Sequence, residues 1–126
     1  MEEIAVVDTN FVIAVIFEDH IFHKLAIKDW EKLRKAYLPI IAISELAYFL
    51  IKNGFSLNDV IDNVLSDPKI EVVENTLEDI YFAIRNSPKS YDDFNDYMII
   101  SLARRLKLKI LTYDHKMKKK GSRLNG

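Results

Sequence analysis

Short apolar runs alternate with longer amphipathic segments along the chain. Runs this short and rich in branched residues are typical of strands buried on both faces of a parallel sheet. The predicted strands cover residues 4–7, 36–39, 70–73 and 109–112. Because they alternate with predicted helices, the pattern indicates an α/β domain with helices on both faces of one parallel sheet.

The segments between the strands have the spacing of amphipathic helices. Their apolar residues recur every three or four positions, with charged residues between them. The predicted helices cover residues 11–17, 22–35, 41–53, 56–65, 76–85 and 92–107. The third of these is apolar almost all round, which predicts that it is largely buried.

Acidic residues follow the first and the last predicted strand. Asp8 comes directly after the first strand, and Asp114 follows the last one closely. Ligands of open α/β sheets bind beyond the carboxyl ends of the strands, so both side chains are candidates for a functional site. The alternative for Asp8 is a structural role, because aspartate is also a good N-cap for the helix that follows.

Two further acids lie on helices that are otherwise apolar. Glu45 is the only acid of the third predicted helix, and Asp96 begins the inward face of the last one. A carboxylate in such surroundings needs a partner, because burial of an unpaired charge is costly. Four acids are therefore expected to converge as catalytic and metal-binding residues: Asp8, Glu45, Asp96 and Asp114. Asp93 is a candidate extra acid, although its place at a helix start favours a cap or dipole role.

A cation is expected among these acids, because four carboxylates brought together repel one another. The chain has no cysteine, and an oxygen-only donor set selects Mg²⁺ or Mn²⁺. One such ion activates water and two can clamp an in-line displacement, so the predicted chemistry is hydrolysis of a phosphodiester. Short polar residues beside the acids are suited to orient ligands or water. They are Thr9, Asn10, Ser44 and Thr112.

Composition predicts one domain over residues 1–126 with a basic tail at about 116–126. The net charge is only −1, yet residues 104–126 contain nine Lys or Arg and a single acid. The functional interpretation is weak contact with the phosphate backbone of a nucleic acid, and the alternative, favoured for residues 118–120, is a frayed, solvated terminus. The candidate contacts with that backbone are Arg104, Lys116, Lys118, Lys119 and Lys120. No apolar run is long enough to span a bilayer and the start is acidic, so we expect a cytoplasmic location.

Four motifs, taken in order, resemble those of the PIN-domain ribonucleases, especially the VapC-like toxins of toxin–antitoxin pairs. They are VDTN at 7–10, SEL at 44–46, NDYMIISLA at 95–103 and LTYD at 111–114. The resemblance implies a PIN-like three-layer α/β/α fold with a central four- or five-stranded parallel sheet flanked by helices. It also implies a Mg²⁺- or Mn²⁺-dependent endoribonuclease that cuts single-stranded RNA regions, forms a homodimer and is inhibited by an antitoxin. By position, the four acids named above match the family's metal-binding residues.

The chain departs from the family pattern at one place. Many relatives have a further acid two residues after the last aspartate and an aromatic after that, where this chain has Lys116 and Met117. One-ion catalysis therefore stays open beside the two-ion scheme. The alternative function is a PIN-like module that binds RNA or a protein with little or no nuclease activity.

Overall fold

The structure, a computed structural model, describes the backbone of residues 3–125 and the side chains of residues 3–121. Its strands are β1 (Glu3–Val7), β2 (Leu33–Pro39), β3 (Ile70–Val73) and β4 (Ile110–Leu111). Its helices are α1 (Thr9–Ile16), α2 (His23–Lys32), α3 (Ile40–Lys52), α4 (Leu57–Ser66), α5 (Leu77–Arg85), α6 (Tyr91–Leu106) and α7 (His115–Asn125). Within the described chain, these helices are too short or too polar to cross a membrane.

The strands form one parallel sheet in the order β3-β2-β1-β4. β1 pairs with β2 on one side and with β4 on the other, where Val7 is in register with Leu111. Since parallel strands point the same way, the carboxyl ends of β1 and β4 lie side by side. This confirms the predicted parallel sheet and brings the residues that follow Val7 and Leu111 to one edge.

The sheet lies between two apolar layers, which explains the unbroken apolar runs of its strands. Ala5 and Val7 pack into the layer built from α1 to α4, and Val6 packs into the layer built from α5 to α7. Their side chains alternate because successive residues of a strand point to opposite faces. All three are fully buried, so the three-layer α/β/α prediction is confirmed.

The longest helix, α6, forms the centre of the second layer. Ser90 caps its start by accepting a hydrogen bond from the Asp93 N–H at 3.0 Å. Ile99 and Ile100 are each 1% exposed, and burial of such a side chain stabilises a fold by about 1.5–3 kcal/mol. The helix is thus a firm support for the acids at its N-terminal end.

The predicted helix over residues 22–35 is wrong at its end. α2 stops at Lys32, and residues 33–35 begin β2 instead. Leu33 fits the apolar face of a helix, and in the strand it is buried like Ala36 and Leu38, although the register with β1 shifts next to it. Pairing decides between the two, because β2 is in register with β1 from Leu33 to Tyr37 on both sides of that shift.

The favoured interpretation of the basic tail as a frayed terminus is also corrected. The segment forms α7, and the Asp114 carboxylate accepts hydrogen bonds from the N–H groups of Lys116 and Met117 at 2.8 and 3.3 Å. Met117 is 2% exposed and packs into the second apolar layer. A capped start and a buried anchor therefore hold this helix against α6.

Candidate active site

Asp8 is the most buried of the four predicted acids, with 5% of its surface exposed. Its Oδ1 accepts a hydrogen bond from the Phe11 N–H at 2.9 Å. Its Oδ2 accepts one from the Thr112 hydroxyl at 2.5 Å. The first bond makes Asp8 the N-cap of α1, and the second ties it to the strand end of β4. The capping role and a place at the sheet edge therefore coexist in one carboxylate.

The surroundings of Asp8 disfavour its negative charge. Burial raises the pKa of Asp8 to about 7, and the charges of Asp114 and Glu45 add to the rise. The hydrogen bonds from Thr112 and Phe11 oppose this effect without cancelling it. Asp8 therefore holds its proton more tightly than an exposed aspartate does.

Glu45 forms a wall of the site between α1 and α6. One of its carboxylate oxygens accepts a hydrogen bond from the Thr9 hydroxyl at 3.1 Å, and the other accepts one from the Asn95 side-chain amide at 3.4 Å. Burial raises the pKa of Glu45, and the charge of Asp96 raises it further. Two elements therefore fix this side chain from opposite sides.

Asp96 is paired with a cation of α7. The Lys120 ammonium lies 2.7 Å from Asp96 Oδ2 and 2.8 Å from Asp93 Oδ1. Burial raises the pKa of Asp96, and the Lys120 ammonium offsets part of that rise. Lys120, predicted as an RNA contact, is thereby engaged within the protein.

Hydrogen bonds also fix the loop after β4. The Thr112 hydroxyl oxygen accepts from the Asp114 N–H at 3.0 Å while its proton is donated to Asp8. The Asn10 side-chain oxygen accepts from the Tyr113 N–H at 2.8 Å. The start of α1 and the loop before α7 are therefore held together around Asp8.

The acids border a cleft of about 600 Å³. Its lining includes five carboxylates and two lysines: Glu45, Asp92, Asp93, Asp96, Asp114, Lys116 and Lys120. Asp8 lies outside this lining and is connected to Asp114 through Thr112. The structure thus gathers three of the four predicted acids around one concavity and buries the fourth beside it.

A groove of about 880 Å³ adjoins the cleft, since Glu45 and Asp92 line both. Ser44 is exposed and also lines the groove. The aromatic rings of Tyr48 and Tyr91 are 67% and 70% exposed there. The spacing along α3 already indicates Tyr48, because a residue three positions after Glu45 lies on the same face of the helix.

The remaining candidate RNA contacts do not join the acids. Arg104 and Lys118 line a separate cavity of about 240 Å³, and their charged groups lie over the rings of Phe82 and Tyr113. Lys119 is exposed on α7. Only Lys116 and Lys120 of the five border the cleft, so the predicted basic surface is divided.

Asn95 is a site residue that the sequence analysis missed. It is fully buried and donates to Glu45, and its Oδ1 has no hydrogen-bond partner among the described residues. A buried oxygen of this kind is commonly satisfied by ordered water. The sequence feature that indicates Asn95 is its position directly before Asp96, where a polar side chain precedes the apolar run of α6.

The donor chemistry fits a hard divalent cation, because the acids are oxygen donors. Burial first, and then the charges of neighbouring acids, raise the pKa of Asp8 and Glu45, so a cation beside them would favour their ionised forms. Their present positions do not complete a coordination sphere. Among the side chains of residues 3–121, no three carboxylate or imidazole groups lie close enough to hold a metal ion. The Lys120 ammonium supplies positive charge at Asp93 and Asp96.

Comparison with known proteins identifies the family. Residues 5–122 match the family model described as the PIN domain. The chain belongs to the PIN-domain family. This confirms the family predicted from the four sequence motifs. A search of curated proteins by sequence finds no match.

Solved PIN-like structures support the same fold. One is VapC20 of Mycobacterium tuberculosis, described as a toxin that cleaves the sarcin-ricin loop, with 18% sequence identity and a TM-score of 0.77. The match covers 94% of this chain and 95% of that one. A chain of a toxin–antitoxin complex from Klebsiella pneumoniae has 19% identity and a TM-score of 0.65, with 89% and 88% of the two chains covered.

Proposed function

We propose that the protein is a metal-dependent endoribonuclease, the toxin of a VapBC-type toxin–antitoxin pair. The observation that carries the proposal is the acidic cleft at the carboxyl edge of a PIN-domain sheet. Glu45, Asp96 and Asp114 line it, and Asp8 is joined to it through Thr112. The toxins among the proteins of similar fold support this assignment.

Asp8, Asp96 and Asp114, with Glu45 beside them, would hold Mg²⁺ or Mn²⁺, which supplies an activated water and positive charge at the scissile phosphate. The protein's own hydrogen bonds restrict these side chains. Thr112 orients Asp8, and Asn95 orients Glu45. Such outer contacts typically change metal affinity or activity by about 10–100-fold.

The adjoining groove favours single-stranded RNA as the substrate. Exposed aromatic rings stack on unpaired bases, and lysine ammonium groups attract the phosphate backbone. Tyr48 and Tyr91 supply such rings, and the Lys52 ammonium lies 5.8 Å from the centre of the Tyr48 ring. Because Glu45 lines both concavities, a strand in the groove would continue into the acidic cleft.

An antitoxin and a second copy of the chain are the proposed protein partners. We infer that the second copy contacts the amphipathic helices α2 and α4, because they and the turn before α2 expose apolar side chains. Ile21, Leu25 and Leu65 are 86%, 47% and 48% exposed. Apolar side chains exposed on a helix face are available for contact with another protein.

One observation favours a second candidate, a PIN-like module that binds RNA or protein with little cleavage. Lys116 and Lys120 border the acidic cleft, and Lys120 already pairs with Asp96. Positive charge at this point helps to bind phosphate and opposes binding of a metal ion.

The deciding experiment measures cleavage of a labelled single-stranded RNA with Mn²⁺. Wild-type protein is compared with Asp8→Asn and Asp114→Asn, and Asp62→Asn on the exposed face of α4 is the control. We expect both site variants to lose activity by about 100-fold or more, since a lost ligand exceeds the usual effect of an outer contact. If wild type and site variants are equally inert while RNA still binds, the binding module replaces the nuclease.

A further inference from the structure

Lys120 is the basic residue whose position the nuclease proposal leaves unexplained. Its side chain is 12% exposed, and its ammonium lies between Asp93 Oδ1 at 2.8 Å and Asp96 Oδ2 at 2.7 Å. The ammonium also lies 5.8 Å from the centre of the Tyr97 ring. Three side chains of α6 therefore surround one cation of α7.

The helix that carries Lys120 is fixed independently of this cation. The Asp114 carboxylate accepts hydrogen bonds from the first N–H groups of α7, and Met117 is buried in the apolar layer. A free lysine loses considerable rotamer entropy when its side chain is ordered. Here the anchored helix already places the ammonium beside the acids, which reduces that loss. The ion pairs are therefore not needed to hold the helix.

The negative charge of the cleft indicates the role of Lys120. Five carboxylates and two lysines are among its lining residues. Neighbouring carboxylates repel one another, and a cation beside them favours their ionised forms. Lys120 supplies such a cation at Asp93 and Asp96, with its ammonium 2.8 and 2.7 Å from their carboxylate oxygens. An ammonium brings no bound water, so it replaces the charge of a metal ion and none of its hydrolytic chemistry.

We propose that the Lys120 ammonium is a built-in cation of the cleft, occupying the place at Asp93 and Asp96 that a second divalent ion would otherwise take. The protein then binds one divalent ion per chain. Lys120 acts through Asp96, which makes it a positioning residue. The inference rests on the proposed nuclease function and assigns its metal requirement.

The experiment counts bound Mn²⁺ by calorimetric titration without RNA. We expect one ion per chain in wild type, in Lys120→Arg, which keeps the charge, and in Lys119→Met, the exposed neighbour. Lys120→Met keeps the aliphatic stem but removes the charge, and we expect it to bind a second ion. The double variant Asp93→Asn/Lys120→Met should return to one ion, because the second site needs both acids.

Cleavage provides the second readout. In Lys120→Met a second Mn²⁺ must take the place of the ammonium before the cleft regains its full positive charge. The Mn²⁺ concentration for half-maximal cleavage should therefore rise about tenfold, and saturating Mn²⁺ should restore the rate. Two bound ions in wild type, or an unchanged count and Mn²⁺ dependence in a folded Lys120→Met, would overturn the inference alone. A wild-type protein that neither binds Mn²⁺ nor cleaves RNA would instead overturn the proposed function.

Discussion

At the scale of single residues, Asp8 ionises at a cost to the folded state. Its pKa is about 7 in the fold, against 3.8 for an ordinary aspartate. Because the folded value is the higher one, the native protein holds the proton more tightly than the unfolded chain does. The stabilising effect of this proton is complete below pH 3.8 and is lost as the pH rises through 7.

We therefore expect Asp8→Asn to stabilise the protein at pH 8 when EDTA removes metal ions. The free energy of unfolding should rise by about 1–3 kcal/mol. The rise is less than the full linkage value because asparagine has one oxygen and cannot accept from both Phe11 and Thr112, as the two carboxylate oxygens do. The difference should shrink towards zero near pH 4, where the aspartate is neutral in the folded protein. Urea unfolding at a series of pH values measures both effects.

The exposed Asp62→Asn variant is the control for that series, because its pH profile should follow wild type. A difference between Asp8→Asn and wild type that is the same at pH 4 and pH 8 would contradict the linkage argument. It would mean that folding does not raise the pKa of Asp8.

At the scale of elements, α5 and α6 are joined by a buried polar network around Asp79. Its carboxylate accepts hydrogen bonds from the Thr76 N–H at 3.0 Å, the Ser101 hydroxyl at 2.7 Å and the Arg105 guanidinium at 2.9 Å. Burial acts to raise the pKa of Asp79, but these three donors together hold it below its ordinary value. One carboxylate thus caps α5 and ties it to the helix that bears Asp96.

We expect Asp79→Ala to lower the free energy of unfolding by about 2–4 kcal/mol, because it leaves the donors around it unpaired. Glu78→Ala, at the exposed neighbouring position, should change it by about 0.5 kcal/mol or less. Since the folded pKa of Asp79 is depressed, its contribution is present above the unfolded value and is lost as the pH falls through the folded one. Urea titrations at pH 7 test the first claim, and equal effects of both variants would contradict it.

At the scale of the whole molecule, positive charge is concentrated in the last part of the chain. Nine of the eighteen Lys and Arg residues lie from residue 104 onward. Lys116 and Lys119 are exposed on α7 next to the cleft-bound Lys120. This arrangement favours RNA that enters the groove and leaves along α7.

We expect Lys116→Met/Lys119→Met to flatten the salt dependence of RNA binding. For a single strand, the slope of log K against log salt should fall by about 0.7 for each lysine that contacts a phosphate. Binding is measured in the Asp8→Asn background to prevent cleavage, and Lys28→Met on α2 is the control. An unchanged slope in the double variant would place the RNA path away from α7.

The parallel sheet and the edge that carries the acids were predictable because local patterns encode them. Apolar runs that end in polar residues mark strand ends, and parallel pairing then brings Asp8 and Asp114 to one edge. Local patterns could not decide Leu33, which fits both a helix and a strand until β1 pairs with it. The contact of Lys120 with Asp96 spans 24 residues and depends on how α7 packs on α6.

Asp8 both caps α1 and is a proposed metal-binding residue, which affects the choice of an inactive control variant. An alanine there would remove the acceptor of the Phe11 N–H and cost about 1 kcal/mol at the start of α1. A loss of activity in such a protein would then have two causes, the missing carboxylate and the weakened start of α1. Asparagine keeps an oxygen for that N–H, so it is the safer substitution for pull-downs, toxicity tests and trapped RNA complexes.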